Sequence, residues 1–298
     1  MKVRVRKAVL PVAGLGTRFL PITKATPKEM LPIVDKPLIQ YAVEEAIEAG
    51  IEEIIFVTSS SKHSIENHFD SNFELEAKLA ETGKTRWLDM VRGIKPDNIS
   101  CVYVRQSSPL GLGHAVLCAR QLVGNEPFAV LLADDLIYTE HKSCLQQMMD
   151  IFNETSANVL AIQEVPLEDT DKYGIVALED SELPMGGYQR TRSIVEKPNC
   201  NSAPSRFASI GRYILMPEVM DYLASAGKGA MGEIQLVDGI DKSIARHNNV
   251  YSYRFDGKRY DCGSKLGYLE ATVEYALRHP EVKDGLAEFL RSRYGSHL

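Results

Sequence analysis

The sequence lacks paired cysteines. Its five, Cys101, Cys118, Cys144, Cys200 and Cys262, are odd in number, scattered and without a C-x-x-C spacing, which argues against a disulfide framework or a zinc knuckle and fits a reducing cytoplasm. It also lacks an H-E-x-x-H run. Of seven histidines, His63 and His68 stand five apart on an expected helical surface, poor geometry for shared metal ligation, and read as solvated or capping groups. No stretch approaches the ~20 apolar residues of a membrane span, so no membrane partner is expected. With 34 Lys and Arg against 40 Asp and Glu, a net charge of -6, there is no global basic field to gather nucleic acid, and any bound anion must meet local cations. The opening "MKVRVRKAVLPV" is basic and then briefly apolar, but no small-residue cleavage site follows, so it reads as a first strand rather than a secretory signal. A Pro/Gly/Ser-rich linker and internal repeats are missing too, so one domain is expected over 1–298.

What is present is an ordinary globular composition, 44% hydrophobic and 25% charged, with apolar β-rich runs at Ala8 to Val12, Ile54 to Thr58, Cys101 to Val104, Phe128 to Ala133 and Val159 to Ile162. Helical patterns separate them. In "PLIQYAVEEAIEAG", Pro37 takes the first helical position, Gly50 caps the end, and Leu38, Ile39, Ala42, Val43, Ala46 and Ile47 mark the face that packs on a sheet. Near-continuous apolar strands alternating with such helices imply a doubly wound α/β core with a largely parallel sheet. From Tyr173 the strands shorten, in "YGIVALE", "RTRSIVEK" and "FASIGRYILM", before helices return at Glu233 to Ile244 and Lys265 to Arg278. Antiparallel strands are therefore expected to extend the sheet and build a second wall of the site.

The stretch "VAGLGTRFLPITKATPKEMLP" follows the first strand. It is not a dinucleotide fingerprint, because Phe19 stands where the third glycine belongs and Pro21 obstructs the helix. It is not a P-loop, which needs G-x-x-x-x-G-K-[ST]. What remains is a loop from Gly14 to Lys36, prolonged by Pro21, Pro27 and Pro32 and carrying Arg18, Lys24, Lys28 and Lys36. It is either a solvated loop with incidental charges or an anion cradle, in which glycines admit close backbone approach, Arg18 grips one phosphoryl group in a planar fork and Lys28 meets another as a point charge. Its place after the carboxyl end of the first strand is where open α/β sheets bind ligands. Pro11 is awkward in a central strand, so the strand is expected to end there.

Further along, "RQSSPLGLGHAV" puts Gln106 at a strand end, able to donate to and accept from a base edge, with Gly111 leaving room for the base plane; alone, Gln106 reads as a surface amide. "FAVLLADDL" ends a buried strand in Asp134 and Asp135, suited to Mg²⁺, with Asp135 on the other side of the strand end. "KRYDCGSKLGY" supplies Asp261, a second carboxylate for the same ion or equally an N-cap of the next helix. Cys262 beside it has no nearby histidine and is not read as a nucleophile. "IVEKPN" sets Glu196 and Lys197 on opposite faces if extended; alone they read as a surface pair.

The run G-x-G-T-R-x-x-P-x-T-K-x-x-P-K-E-M-L-P, Gly14 to Pro32, resembles the signature of the sugar-1-phosphate nucleotidyltransferases. The later blocks "GLGHAVLCAR", "YGIV", "VEKP", "GRYIL", "GEIQL" and "YDCGSKLGY" extend the likeness over almost the whole chain, toward the uridylyltransferase branch; many members carry proline where Ala133 stands. The resemblance implies an α/β fold of three layers, α/β/α and Rossmann-like, with a mostly parallel central sheet and antiparallel additions. Residues 1–135 would mainly bind nucleotide, 136–262 sugar phosphate, and 263–298 would be C-terminal helices. It implies nucleotide binding by Ala13, Gly14, Gly16, Thr17, Gln106 and Gly111, sugar binding by Gly174, Glu196 and Lys197, Mg²⁺ on Asp134 and Asp261, and charge neutralisation by Arg18, Lys28 and Lys197. Glu233 is a weaker addition to the cleft, and His114 carries no assigned chemistry. The implied reaction joins UTP and glucose-1-phosphate into UDP-glucose and pyrophosphate. Two rivals are a sister enzyme using dTTP or another sugar-1-phosphate, which the long "TKATPKEMLP" loop and "YDCG" oppose, and a non-catalytic regulatory relative, which the presence of Gly16, Thr17, Arg18, Asp134 and Asp261 opposes. The amphipathic C-terminal helices suggest a homodimer or homotetramer.

Overall fold

A computed structural model describes residues 3–227, 232–247 and 249–295. Its strands are β1 (Lys7–Pro11), β2 (Pro32–Ile33), β3 (Lys36–Pro37), β4 (Glu53–Thr58), β5 (Ser100–Arg105), β6 (Phe128–Leu131), β7 (Asp135–Tyr138), β8 (Asn158–Glu164), β9 (Gly174–Leu178), β10 (Tyr188–Glu196), β11 (Phe207–Leu215), β12 (Val250–Arg254) and β13 (Lys258–Asp261). The helices are α1 (Leu38–Glu48), α2 (His63–Phe69), α3 (Phe73–Glu81), α4 (Thr85–Gly93), α5 (Leu112–Cys118), α6 (Arg120–Val123), α7 (Cys144–Thr155), α8 (Glu218–Ala224), α9 (Leu236–His247), α10 (Lys265–Ala276) and α11 (Lys283–Tyr294). Among the described residues no helix is long and apolar enough to cross a membrane.

Strand periodicity decides the layering, since successive side chains point to opposite faces. Ala8 and Leu10 of β1 and Ile54 and Phe56 of β4 join one buried cluster with Ile39, Ala42 and Val43 of α1 and Met148 and Phe152 of α7. Val9, Ile55 and Val57 join the other, with Val116 of α5, Val219 and Leu223 of α8 and Ile240 of α9. Helices thus cover both faces, giving the expected α/β/α layers. β1 ends at Pro11, and Gly50 follows α1 at φ 88, both as the sequence suggests.

The main sheet runs β5-β4-β1-β6-β11-β8-β12-β10-β9. β5, β4, β1 and β6 are parallel, as is β12 with β8. The antiparallel additions take a larger share than expected, because every neighbour of β11 and of β10 runs against it. β11 is buried along its whole length and carries a register shift between Ser209 and Tyr213. Beyond the shift Arg212 to Leu215 pair with β6, and before it Ala208 and Ser209 pair with Ile175 and Gly174 of β9. β11, β8, β12, β10 and β9 therefore close into a ring. A separate two-stranded ribbon pairs β7 with β13, Asp261 opposite Asp135. α10 seals it through Tyr275, whose ring lies 5.0 Å from that of Tyr41 and 6.1 Å from that of Tyr260.

Candidate active site

A cavity of about 950 Å³ opens where the parallel half of the sheet meets the ring, and Arg18, Asp134, Asp261, Gly174, Glu196 and Lys197 all line it. Its first wall begins with the loop after β1. Short helical turns at Thr17–Phe19, Ile22–Lys24 and Lys28–Met30 replace the regular helix that the prolines prevent. Gly16 sits at φ 66, and its carbonyl accepts the Thr23 hydroxyl at 2.8 Å, which folds the loop back on itself. Gly14 and Thr17 are exposed and Ala13 is half-buried at the loop's start. Of the four loop cations only Arg18 and Lys28 turn to the acids of the cavity. Lys36 is taken by Glu44 at 2.7 Å, and Lys24 is exposed.

Asp134 occupies the turn between β6 and β7, and Lys28 Nζ lies 2.5 Å from its Oδ2. Burial opposes charge on Asp134, but Lys28 outweighs it and holds the carboxyl below its usual range; burial likewise opposes charge on Lys28, and Asp134 and Glu29 outweigh it. Asp261 ends β13, and the next peptide, Cys262 N–H, bonds the Asp134 carbonyl at 2.8 Å. The two carboxylates face a common point: a Cβ added at Gly263 would stand 3.0 Å from both Asp134 Oδ2 and Asp261 Oδ1, and 3.7 Å from Arg18 Nη1. Asp261 is not the N-cap of α10; Ser264 takes that place, accepting from Gly267 N–H at 3.1 Å. The Cys262 thiol is buried and pushed up to about 12, first by that burial and then by the neighbouring carboxylates, so it is inert as a nucleophile.

Asp135 lines the same cavity as Asp134 but is engaged by different partners. Its Oδ1 receives Arg259 Nε at 2.6 Å and Nη2 at 2.5 Å, and its Oδ2 receives Gly211 N–H at 2.6 Å. Sequence reading missed Arg259, although strand alternation places it on the same face of β13 as Asp261. It also missed the ion pair between Glu29 and Lys62, 2.7 Å apart and almost wholly buried. That pair ties the Lys28–Met30 turn to the start of α2, and burial pushes Glu29 up and Lys62 down.

The second wall is built by the ring. Gly174 pairs with Glu196 across β9 and β10, and a Cβ there would meet Val237 at 2.9 Å and Glu196 Oε2 at 3.4 Å. Glu196 and Lys197 do not diverge as an extended pair would. Lys197 adopts φ 46, which brings its ammonium round to 3.4 Å from Glu196 Oε1, so both face the one cavity. Burial pushes the Glu196 carboxyl up, and Lys197 offsets part of that.

Gln106 and Gly111 do not line the cavity themselves but lie next to its Leu112 and Glu233; Gln106 Nε2 donates to the Gly111 carbonyl at 3.1 Å and lies 3.0 Å from His114 Nδ1. Gly111, at φ 98, does not open onto empty space: an added Cβ would meet the Ile234 carbonyl at 2.7 Å and Glu233 Cβ at 2.8 Å. Its missing side chain lets the 110–113 segment dock on 233–235, where Ile234 N–H bonds Leu110 and Gly113 N–H bonds Ile234. Glu233 accepts from Gln235 at 2.9 Å and reaches the cavity wall.

The nucleotidyl transferase family model matches residues 7–277. A UTP–glucose-1-phosphate uridylyltransferase of Bacillus subtilis (strain 168) is 51% identical over 96% of this chain and 96% of its own. Among solved structures, a UTP-bound UGPase from Acinetobacter baumannii superposes with a TM-score of 0.90 at 44% identity, over 97% of this chain and all of that one. A UDP-glucose pyrophosphorylase complexed with UDP-glucose gives 0.84 at 46% identity, over 93% of this chain and 100% of that chain. With a cavity walled by the signature loop, by two converging carboxylates and by the Glu196–Lys197 pair, and with likeness of this extent, the chain belongs to the nucleotidyl transferase family, in its UTP–glucose-1-phosphate uridylyltransferase branch.

Proposed function

We propose that this protein makes UDP-glucose and pyrophosphate from UTP and glucose-1-phosphate, by in-line attack of a sugar-phosphate oxygen on the α-phosphorus of UTP. The observation that carries this reading is the meeting of Arg18, Asp134 and Asp261 on one wall of a cavity, with Lys28 bonded to Asp134 from behind, and of Glu196 and Lys197 on another. The names of its relatives, and the UTP and UDP-glucose bound to two of them, support the choice of substrates.

Such a transfer needs positioning and charge neutralisation more than covalent work by the protein. Arg18 and Lys28 neutralise the triphosphate and the departing pyrophosphate, with Ala13, Gly14, Gly16 and Thr17 offering close backbone approach. Gln106, from the 106–111 edge, takes the base. Lys197 holds the phosphate of the incoming sugar, and Glu196 accepts from sugar hydroxyls beside Gly174. The residues also fit Mg²⁺: two hard oxygen donors flank one point that the missing side chain of Gly263 leaves clear, a donor type that suits a hard cation. Asp134 and Asp261 would hold the ion, which supplies charge neutralisation to the reacting phosphates. In this reading residues 1–135 serve mainly the nucleotide and 136–262 mainly the sugar phosphate.

The test is pyrophosphate release from purified protein, Mg²⁺ and glucose-1-phosphate with UTP or dTTP in turn. Release with UTP at a rate well above that with dTTP is expected. The reverse preference, or no release with either, would overturn the reading.

A further inference from the structure

We infer that Arg259 is a positioning residue that clamps the sugar-phosphate wall of the cleft to the strands bearing its two acids, an inference that rests on the functional reading above. Arg259 sits on β13 two residues before Asp261, and its side chain and that of Asp135 are only 7% and 8% exposed. One edge of the guanidinium grips Asp135, the neighbour of Asp134, through Nε at 2.6 Å and Nη2 at 2.5 Å. Nη1 donates to the Tyr173 hydroxyl at 3.3 Å, and the guanidinium carbon stands 5.1 Å from the centre of that ring. The Tyr173 carbonyl in turn accepts the backbone N–H of Lys197 at 2.9 Å, and Tyr173 leads directly into Gly174.

One planar fork therefore touches both walls. Its Asp135 arm fixes the turn that aims Asp134, and its Tyr173 arm fixes the segment from which Gly174 and Lys197 meet the sugar phosphate. Arg259 also neutralises Asp135, whose charge would otherwise stand buried and unpaired beside Asp134. A guanidinium can serve two partners at a fixed angle, whereas an ammonium is a single point and holds one. A bridge that served only the fold would change stability and affect both substrates alike. A clamp predicts an effect confined to one of them.

The test is a double-variant cycle on the full-length protein with Tyr173→Phe, Arg259→Lys and their combination, recording thermal stability and KM for each substrate. Tyr173→Phe removes one hydroxyl from a half-buried residue and is expected to fold normally. It should raise KM for glucose-1-phosphate about fivefold while leaving KM for UTP within about twofold, the scale of one lost hydrogen bond. Arg259→Lys, which keeps the Asp135 contact, should give the same change, and the combination should be no worse than either alone. An unchanged KM in Tyr173→Phe, equal rises for both substrates, or additive effects in the combination would overturn the clamp. Wild-type turnover is measured first: its absence overturns the functional reading and the clamp together, whereas an active wild type with additive variants overturns the clamp alone.

Discussion

The two walls of the cleft achieve rigidity by different means. The first hangs its cations on a long loop after a parallel strand, held by one internal bond, Thr23 on Gly16, and by two outside tethers, Lys28 on Asp134 and Glu29 on Lys62. The second places Glu196 at the end of a strand inside a closed ring, where register with β9 fixes it, and turns Lys197 beside it with a single unusual backbone angle. Loops carry function where a scaffold positions them, and here the scaffold of one wall is a buried ion pair while that of the other is the ladder itself. The comparison separates what each kind of substitution should damage.

The largest expected effect falls on the tethered loop. Lys62→Met leaves Glu29 buried without its cation and should lower unfolding free energy in urea by ~3–5 kcal/mol, whereas Lys62→Met with Glu29→Leu should recover most of the loss. Equal stability of the single and double variants would show that the pair does not anchor the loop. Next come the cations themselves. Arg18→Ala and Lys197→Ala should both stay folded and lose at least ~100-fold in turnover, about 2.7 kcal/mol of barrier. Near-normal rates in either folded variant would remove that residue from the reaction. Gly263→Ala tests the meeting point of the first wall's two acids. Its methyl group would fill the space between Asp134 and Asp261 and should raise the Mg²⁺ concentration for half-maximal rate roughly tenfold, about 1.4 kcal/mol; an unchanged Mg²⁺ titration would place the ion elsewhere.

The smallest effect concerns the ring side. Because burial raises the Glu196 pKa, acidification should remove its charge at a pH above the ~4.3 of an ordinary glutamate. The value of kcat/KM for glucose-1-phosphate should then fall through that window as pH drops, and Glu196→Gln should lose this limb. A limb that persists in Glu196→Gln would belong to another group.

Local signals made much of this legible. Apolar runs placed β1, β4, β5, β6 and β8, and the prolines of residues 21–32 announced a loop instead of a helix, because both depend on neighbours in sequence. The ring closure onto β11 and the β7–β13 ribbon depend on pairings between distant segments, which no periodicity encodes. The Glu196–Lys197 geometry escaped because alternation presumes extended backbone, and Lys197 is not extended. Gly111 was readable as a required glycine, but its cause, the docked 233–235 segment, comes from far along the chain. Glu29 and Lys62 gave no signal of their pairing, since a sequence shows charge without showing burial.

The ribbon that sets Asp261 opposite Asp135 has a bearing on biosynthesis. A growing polypeptide can set its first parallel strands and expose the glycine loop early, yet it lacks one of the two carboxylates proposed to hold the ion until residue 261 is translated. Products clipped or stalled short of residue 261 are therefore expected to be well-formed in their opening portion and inert.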